Sequence, residues 1–335
     1  MAVCPRTTRH GRKEGNVRHA AILLMSALAA PCPAQHTGGD TLHAPLIPAS
    51  TTMVTAWDMP QNPLTDSSLA LSPRAERVRR GFRLFVRTPD EAPAVAANGL
   101  ACGNCHLNAG QRERALPLTG VAGVFPEYNK REGRIFSLED RIVGCFMRSE
   151  NATAFRADTP SGGTFRTFPD TSAEEVAALA EYIRWISERA GVGKSLPWRG
   201  LNTIPGDSLI AIERLDPIRG KALFQERCSS CHGVDGQGVA IGDKKAGPLW
   251  GPRSWNDGAG AARVYTLAGF IRYAMPYLDP GSLNAEEAQQ IARYINAMPR
   301  PKFPLKRYDY LRTRIPPDAV YYPRGAPERP PLNDH

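Results

Sequence analysis

The chain has 335 residues, enough for two domains with ample core, and its formal net charge is +9 at pH 7. The 42 basic and 33 acidic residues are interspersed rather than collected into runs of one sign. This pattern excludes a typical nucleic-acid-binding module and favours a protein that attracts small anions.

The first 34 residues have the form of a secretory signal peptide. Five basic residues and one acidic residue precede or border an apolar run over 20–30, and small residues end the segment at Ala34. An apolar run of 11 residues is well short of the roughly 20 that a spanning helix needs. We therefore expect cleavage near Ala34, export to the periplasm, no stable membrane insertion and a charge of +5 for the mature chain. An uncleaved anchor is the alternative.

Residues 35–72 are rich in Pro, Thr and Ser and have no sustained period, which predicts an irregular N-terminal arm with Trp57 packed on the body. Pro73 is typical of a helix start. Apolar residues then recur at helical spacing at Ala75, Val78, Phe82 and Phe85.

The pattern C-x-x-C-H, the attachment signature of c-type haem, occurs twice. Its residues are Cys102, Cys105 and His106, then Cys228, Cys231 and His232. Two thiols at this spacing each bond to one haem vinyl group, and the following imidazole binds the iron. Two covalently bound haems are therefore predicted. A Cys4 zinc site is disfavoured by the 123 residues from Cys105 to Cys228, and a thioredoxin-like pair lacks its βαβ pattern.

An internal repeat surrounds the two motifs. Upstream, Arg80, Gly81, Leu84 and Phe85 match Arg219, Gly220, Leu223 and Phe224; downstream, Ala173, Glu174, Glu175, Tyr182 and Ile183 match Ala285, Glu286, Glu287, Tyr294 and Ile295. The glycines repeat in register, so we expect each to let two helices cross closely.

The downstream blocks also carry helix-start signals. Ser172 with Glu175, and Asn284 with Glu287, fit or approximate the capping box. One apolar stripe is predicted at Val176, Leu179, Ile183 and Ile186.

Each half thus runs helix, haem motif, loops, ligand region and helix, which resembles the class I cytochrome c fold. The fold class predicted is mainly α, with two tandem domains of this type. The boundaries are 73–195 for the first domain, 196–215 for a Gly- and Pro-rich linker, 216–298 for the second domain and 299–335 for a tail. With nine prolines in 37 residues, the tail is expected to pack in extended form over the domains.

Each haem iron has a second axial position, and its occupant sets the function. In the second domain Met275 lies 43 residues after His232 and directly before Pro276, so it is the predicted ligand, with Met298 as the alternative. In the first domain the unpaired Cys145 lies 39 residues after His106. Three possibilities stand there: an iron-bound Cys145 thiolate, Met147 as ligand with Cys145 in the core, or a buried inert thiol.

Ser137 and Asp140 mark a helix start before Cys145. On that helix Arg141, Cys145 and Ser149 share one face at i, i+4 and i+8. A cation, a thiol and a hydroxyl on one stripe suit an anion site better than a core, because Arg presents a planar fork of donors to oxyanions.

Two further arginines, Arg131 and Arg148, add positive charge near this stripe. The competing interpretation is that Arg141 forms a surface ion pair with Glu139 or Asp140.

From about residue 70 to 305 the chain resembles the thiosulfate dehydrogenase family of dihaem cytochromes c. The residues that carry the resemblance are Tyr128, Asn129, Lys130, Arg131, Gly133, Arg134, Ile135, Ser137, Leu138, Glu139, Asp140, Arg141, Ile142, Gly144, Cys145, Arg148 and Ser149. The resemblance implies that Cys145 ligates the catalytic haem of the first domain. It also implies that Arg131, Arg141 and Ser149 line the substrate pocket.

The implied reaction joins two thiosulfates into tetrathionate, or the reverse. Electrons would pass from the haem of His106 and Cys145 to that of His232 and Met275, then to an external acceptor such as a small cytochrome c or high-potential iron-sulfur protein. Some members have a lysine before the methionine as an alternative ligand, but here Ala274 stands there. A non-catalytic dihaem electron carrier and a haem enzyme for other sulfur compounds are the rival interpretations.

Overall fold

Two pairs of crossing helices, one in each half of the repeat, organise the chain. The computed structural model describes residues 60–93, 95–152, 171–190, 196–241 and 244–323. The helices are α1 (Pro73–Val86), α2 (Thr88–Glu91), α3 (Leu107–Gly110), α4 (Leu138–Ser149), α5 (Glu174–Ser187), α6 (Pro217–Arg227), α7 (Ser229–His232), α8 (Val264–Ala274) and α9 (Ala285–Ile295). Two antiparallel hairpins pair β1 (Glu127–Asn129) with β2 (Arg134–Phe136) and β3 (Ala240–Ile241) with β4 (Lys244–Lys245). Single 3₁₀ turns lie at Cys102–Asn104, Val121–Gly123, Glu188–Ala190, Gly206–Ser208, Ile212–Arg214, Gly260–Ala262 and Lys306–Tyr308.

The repeated glycines stand where the helices of each pair cross. A Cβ atom at Gly81 on α1 would lie 2.0 Å from the carbonyl oxygen of Ala178 on α5. A Cβ atom at Gly220 on α6 would lie 2.1 Å from the carbonyl oxygen of Gln290 on α9. No real Cβ contact is this short, so the predicted close crossing is confirmed in both halves.

We expect Gly220→Ala to lower the free energy of unfolding by about 1–3 kcal/mol, because the added methyl group forces α6 away from the α9 backbone. Denaturant titration followed by circular dichroism measures the change. Gly206→Ala is the control, since a Cβ atom there meets nothing within 4 Å. Equal stability of the two variants would show that the crossing tolerates a wider separation.

A separate hydrophobic core fills each half. The first joins residues of α1, α4 and α5, and the second joins residues of α6, α8 and α9. The repeated aromatic residues meet within them: ring centroids are 5.5 Å apart for Phe85 and Tyr182, and 5.6 Å apart for Phe224 and Tyr294. The predicted stripe is buried in the first core at Val176, Leu179, Ile183 and Ile186.

The helix starts follow the sequence signals with one exception. Ser137 caps α4 and Asn284 caps α9, each within a full capping box, and Pro73 is the first residue of α1. The prediction for Ser172 is wrong, because α5 begins one residue later with Ala173 at the cap position and no side-chain bond.

The part of the arm that the structure describes, 60–72, is irregular as expected. It is fixed by Gln61, whose backbone N–H donates to Gln111 at 2.8 Å while the Gln111 amide donates back to the Gln61 carbonyl at 2.8 Å. The signal peptide, the rest of the arm and Trp57 lie outside the described residues. Among the helices that are described, none is both long and apolar enough to span a membrane.

The segment predicted as a linker, 196–215, packs at its two ends and at the buried Ile204. Leu196 and Trp198 form a buried cluster with Val124, while Ile212 and Leu215 belong to the second core. It is therefore a structural element rather than a free tether, and the domain boundaries stay predictions.

The tail packs over both halves as far as residue 323. Its residues 309–318, here called the C-terminal strap, begin and end at buried aspartates. Asp309 binds Arg148 of α4, and Asp318 binds Arg263 immediately before α8. The tail thus fastens the first half to the second.

Candidate active site

The first C-x-x-C-H motif forms a tight turn that presents a neutral imidazole. Nδ1 of His106 donates to the carbonyl oxygen of Leu116 at 2.6 Å, which leaves Nε2 as the unprotonated nitrogen. Burial, with the charge of Arg141 adding to it, lowers the pKa of His106 to about 4. A neutral imidazole with its Nδ1–H anchored in this way is suited to bind a metal.

A cavity of about 900 Å³ opens beside this imidazole. Its wall includes seven of the predicted site residues: Cys102, Cys105, His106, Arg131, Arg141, Cys145 and Ser149. Apolar side chains line the rest of its inner part, among them Phe85, Leu118, Val121, Phe136 and Leu179. The volume lies at the upper end of the ~300–1,000 Å³ range of cofactor sites.

The donor set in this cavity fits a covalently attached haem. Cys102 and Cys105 are unpaired thiols, His106 offers Nε2, and Cys145 is a further unpaired thiol. Burial raises the pKa of Cys105 to about 12, and the charges of Glu150 and Cys145 add to the effect. Cys145 is therefore close enough to Cys105 for their charges to interact. Among the described residues no group of three or more His, Cys, Asp or Glu is placed to hold a metal ion.

Cys145 and Met147 point to different places. Cys145 is half-buried and lines the cavity, whereas Met147 packs against the first hydrophobic core. The placement favours Cys145 over Met147 as the second axial ligand, and it disfavours a thiol buried among hydrocarbon.

Arg141 does not form the surface ion pair considered above. Glu139 is bound to Arg184, and Asp140 is bound to Arg134 at 3.0 Å. Within the part of the chain that the structure describes, Arg141 has no carboxylate partner while it lines the cavity. Its charge is therefore available to an anion.

Arg131 and Arg148 differ in what they offer. The Arg131 guanidinium donates to the Gly258 carbonyl oxygen and lies 5.6 Å from the ring centroid of Tyr310, which fixes its position. Arg148 also reaches the cavity wall, but its charge is neutralised by Asp309 and Glu132. The expectation that Arg148 adds free positive charge is wrong, because it serves as a buried structural cation.

Positive charge remains in the cavity after its ion pairs are counted, because Lys130, Arg131, Arg141 and Arg314 line it without a carboxylate partner among the described residues. The basic residues that line it are Lys130, Arg131, Arg141, Arg148, Arg199, Arg263 and Arg314; the acidic ones are Glu127, Glu132 and Glu150. Burial raises the pKa of Glu150 to about 8, so this carboxyl is mostly neutral at pH 7. The cavity therefore suits multiply charged anions.

The second motif ends in α7, where burial lowers the pKa of His232. The predicted partner Met275 follows α8 directly, and Met298 packs against the second core. Met275 packs against a small apolar cluster that includes Leu107, the residue after His106. The ligand assignment at this haem stays a prediction.

The segments that carry the two predicted axial ligands, His106 and Met275, also meet through polar contacts. Arg112 donates to the Tyr277 carbonyl oxygen at 2.9 Å, and the Tyr277 hydroxyl donates to Asn108 at 3.2 Å. The chain therefore fixes the two haem-binding segments against each other.

Comparisons with known proteins match both halves. A family model for the cytochrome c domain of SoxA and TsdA matches residues 93–192, and one for subunit III of cbb3-type cytochrome c oxidase matches residues 216–295. The mainly helical architecture is thus that of two cytochrome c domains, as predicted.

Several relatives share most of the chain. A thiosulfate dehydrogenase of Allochromatium vinosum is 38% identical over 258 residues, which cover 74% of this chain and 88% of the relative. One of Stutzerimonas stutzeri is 34% identical over 243 residues, covering 72% and 73%. A solved structure of the thiosulfate dehydrogenase TsdBA from Marichromatium purpuratum, in its as-isolated form, gives a TM-score of 0.62 at 35% identity. That match covers 75% of this chain and 51% of the solved chain, so this chain spans about half its length.

Proposed function

The chain belongs to the thiosulfate dehydrogenase family, and from this premise we propose that it oxidises two thiosulfate ions to tetrathionate or catalyses the reverse reaction. One observation carries the proposal. A single cavity gathers the first haem-attachment motif with Cys145, Arg131, Arg141 and Ser149. An electron carrier needs no cationic side chains and no free thiol beside its haem-attachment motif.

Charge is the first obstacle that the site must overcome. Two thiosulfate dianions brought to ~5 Å repel each other by roughly 3 kcal/mol in water, and by more at lower effective dielectric. Arg131 is held in place, and Arg141 has no carboxylate partner among the described residues. These two guanidinium groups bind the sulfonate oxygens, and the Ser149 hydroxyl donates a further hydrogen bond.

Cys145 carries the substrate sulfur in this proposal. Its thiolate bonds to the sulfane sulfur of the first thiosulfate, and two electrons leave as the sulfur–sulfur bond forms. The sulfane sulfur of the second thiosulfate then displaces the Cys145 sulfur, which restores the thiolate and releases tetrathionate. No net proton transfer occurs, and the charge of the two substrates falls from 4− to 2− as the two electrons depart.

The cofactors are haem c, and we propose two of them. They are attached through Cys102 and Cys105, and through Cys228 and Cys231. His106 and Cys145 would hold the first haem, and His232 and Met275 would hold the second. When bound, the haems would supply one-electron acceptors for the two electrons released from substrate.

We further propose that the mature protein acts in the periplasm after cleavage near Ala34. This proposal is supported by the form of the leader. A small cytochrome c or a high-potential iron-sulfur protein is the acceptor expected there.

The purified protein is expected to reduce ferricyanide in the presence of thiosulfate, with one tetrathionate formed for every two ferricyanide ions consumed. A spectrophotometric assay with chemical determination of tetrathionate tests this stoichiometry. Sulfite and sulfide in place of thiosulfate are the controls for substrate class. A protein that accepts electrons from reduced cytochromes but gives no thiosulfate-dependent reduction would be a non-catalytic carrier instead.

A further inference from the structure

The C-terminal strap is held at both ends by ion pairs of buried aspartates. At its start, Asp309 receives two hydrogen bonds from Arg148, at 2.6 and 2.7 Å. At its end, Asp318 receives two from Arg263, at 2.7 and 3.0 Å, and one from the backbone N–H of Tyr265 at 3.0 Å. Both aspartates are almost completely buried. Clamps of this kind hold the intervening residues in one place.

Between the clamps the strap forms part of the wall of the cavity that holds Cys145. Its lining residues are Tyr310, Thr313, Arg314 and Pro316. The strap is also attached to the segment that presents Arg131: the Tyr310 N–H donates to the Arg131 carbonyl oxygen at 2.7 Å, and the Thr313 hydroxyl donates to the Lys130 carbonyl oxygen at 3.0 Å. The strap and the Arg131 segment therefore form one continuous surface.

Most guanidinium groups around this cavity are already bound to protein acceptors. Arg148, Arg199 and Arg263 are paired with carboxylates, and Arg131 donates to a backbone carbonyl. Arg314 lines the cavity with an exposed side chain and has no ion-pair partner within the described residues. Arg141 likewise has no ion-pair partner among the described residues. In this part of the chain the cavity therefore has two guanidinium groups without a carboxylate partner that are also not bound to a backbone carbonyl, Arg141 on α4 and Arg314 on the strap.

We propose that Arg314 binds the sulfonate group of the second thiosulfate, and equally one sulfonate end of tetrathionate. The inference rests on the proposed function, in which the cavity holds two dianions at once. Arg131 and Arg141 lie on the wall formed by the β1–β2 hairpin and α4, so the second dianion requires a cation from another wall. The strap supplies it, and its rigid anchoring limits the ordering cost of binding.

The test compares Arg314→Gln with wild type in steady-state thiosulfate oxidation. Glutamine keeps a hydrogen-bonding amide but removes the charge, so we expect KM for thiosulfate to rise about tenfold with kcat changed much less. Arg314→Lys, which keeps the charge, is expected to recover part of the loss. The matched control is Arg307→Gln, because Arg307 lies just before the strap, contacts the Tyr308 ring and does not line the cavity.

Haem content and haem midpoint potentials show whether the variant is folded and loaded, without reference to its activity. Haem content and the midpoint potentials of Arg314→Gln should equal those of wild type. An unchanged KM in a variant that still turns over thiosulfate would overturn the role of Arg314 and leave the proposed function intact. Altered midpoint potentials with an unchanged KM would also overturn the role of Arg314 in substrate binding, and would indicate that Arg314 binds a haem propionate instead. A wild-type protein that does not turn over thiosulfate would exclude both the proposed function and the proposed role of Arg314.

Discussion

Replacing Cys145 with glycine is expected to abolish thiosulfate oxidation while both haems stay covalently attached. The attachment thiols are Cys102, Cys105, Cys228 and Cys231, and Cys145 is not among them. It lines the cavity on the same stripe as Arg141 and Ser149. Loss of the sulfur that carries substrate should lower kcat by on the order of 10³-fold, about 4 kcal/mol of activation free energy.

The thiosulfate and ferricyanide assay measures this loss, and the pyridine haemochrome spectrum measures haem content. Because glycine inside a helix costs about 1 kcal/mol of stability, Cys145→Ser is needed beside it to separate loss of the sulfur from weakening of α4. Met147→Leu is the matched control on the same helix, since Met147 packs against the core and does not line the cavity. It should retain activity.

Low-temperature EPR of the oxidised protein gives a second, activity-independent result. We expect a thiolate-ligated low-spin ferric signal in wild type and in Met147→Leu, and its absence in both Cys145 variants. Undiminished tetrathionate formation by Cys145→Gly would exclude Cys145 from the mechanism. The protein would then be an enzyme whose chemistry is carried by other residues of the cavity.

Features that depend on neighbours in the sequence could be predicted well. The attachment motif, the stripe of Arg141, Cys145 and Ser149, and the crossing glycines follow from spacings of a few residues or from a repeat in register. The start of α5 lies one residue after the position that Ser172 and Glu175 predict, which is within the one or two residues by which helix ends vary.

Features that join distant parts of the chain could not be predicted. Arg148 is neutralised by Asp309, 161 positions further on, and nothing in the composition of the tail indicates that pairing. The same holds for the strap residues in the cavity wall. Arg141 has no carboxylate partner among the described residues, because its two acidic neighbours are bound to other arginines. Arg184, distant in sequence, binds Glu139, and Arg134 binds Asp140.

The second large effect is expected from Asp309→Ala, which should lower the free energy of unfolding by about 3–5 kcal/mol. The change leaves the Arg148 guanidinium buried, with Glu132 as its remaining carboxylate. It also removes the acceptor of the Tyr322 hydroxyl. A buried guanidinium that keeps only one of its two carboxylates is costly, because the protein interior replaces its hydration poorly. Guanidinium chloride titration of the haem-loaded protein measures the loss.

A surface ion pair provides the matched control. Arg74 and Glu188 are each about half exposed, with 51% and 49% of their side-chain surface accessible, so Glu188→Ala should cost no more than ~1 kcal/mol. If Asp309→Ala costs no more than this control, the strap is held by its apolar contacts rather than by the ion pair.

The double variant Arg148→Met with Asp309→Leu separates the charge from the packing. Removing both charges at once eliminates the buried cation that has lost one of its two carboxylates, so much of the lost stability should return. The cycle of single and double variants gives the coupling between the two residues. Stability and substrate binding need not recover together. Among the described residues Glu132 would keep only Arg134 as a cationic partner, and the start of the strap would lose its ion pair and keep its hydrogen bonds to the segment of Lys130 and Arg131. KM for thiosulfate should therefore stay raised even where the free energy of unfolding is restored. A double variant that regains stability but not KM would therefore show that the buried pair places the strap against the substrate, and does more than hold the fold.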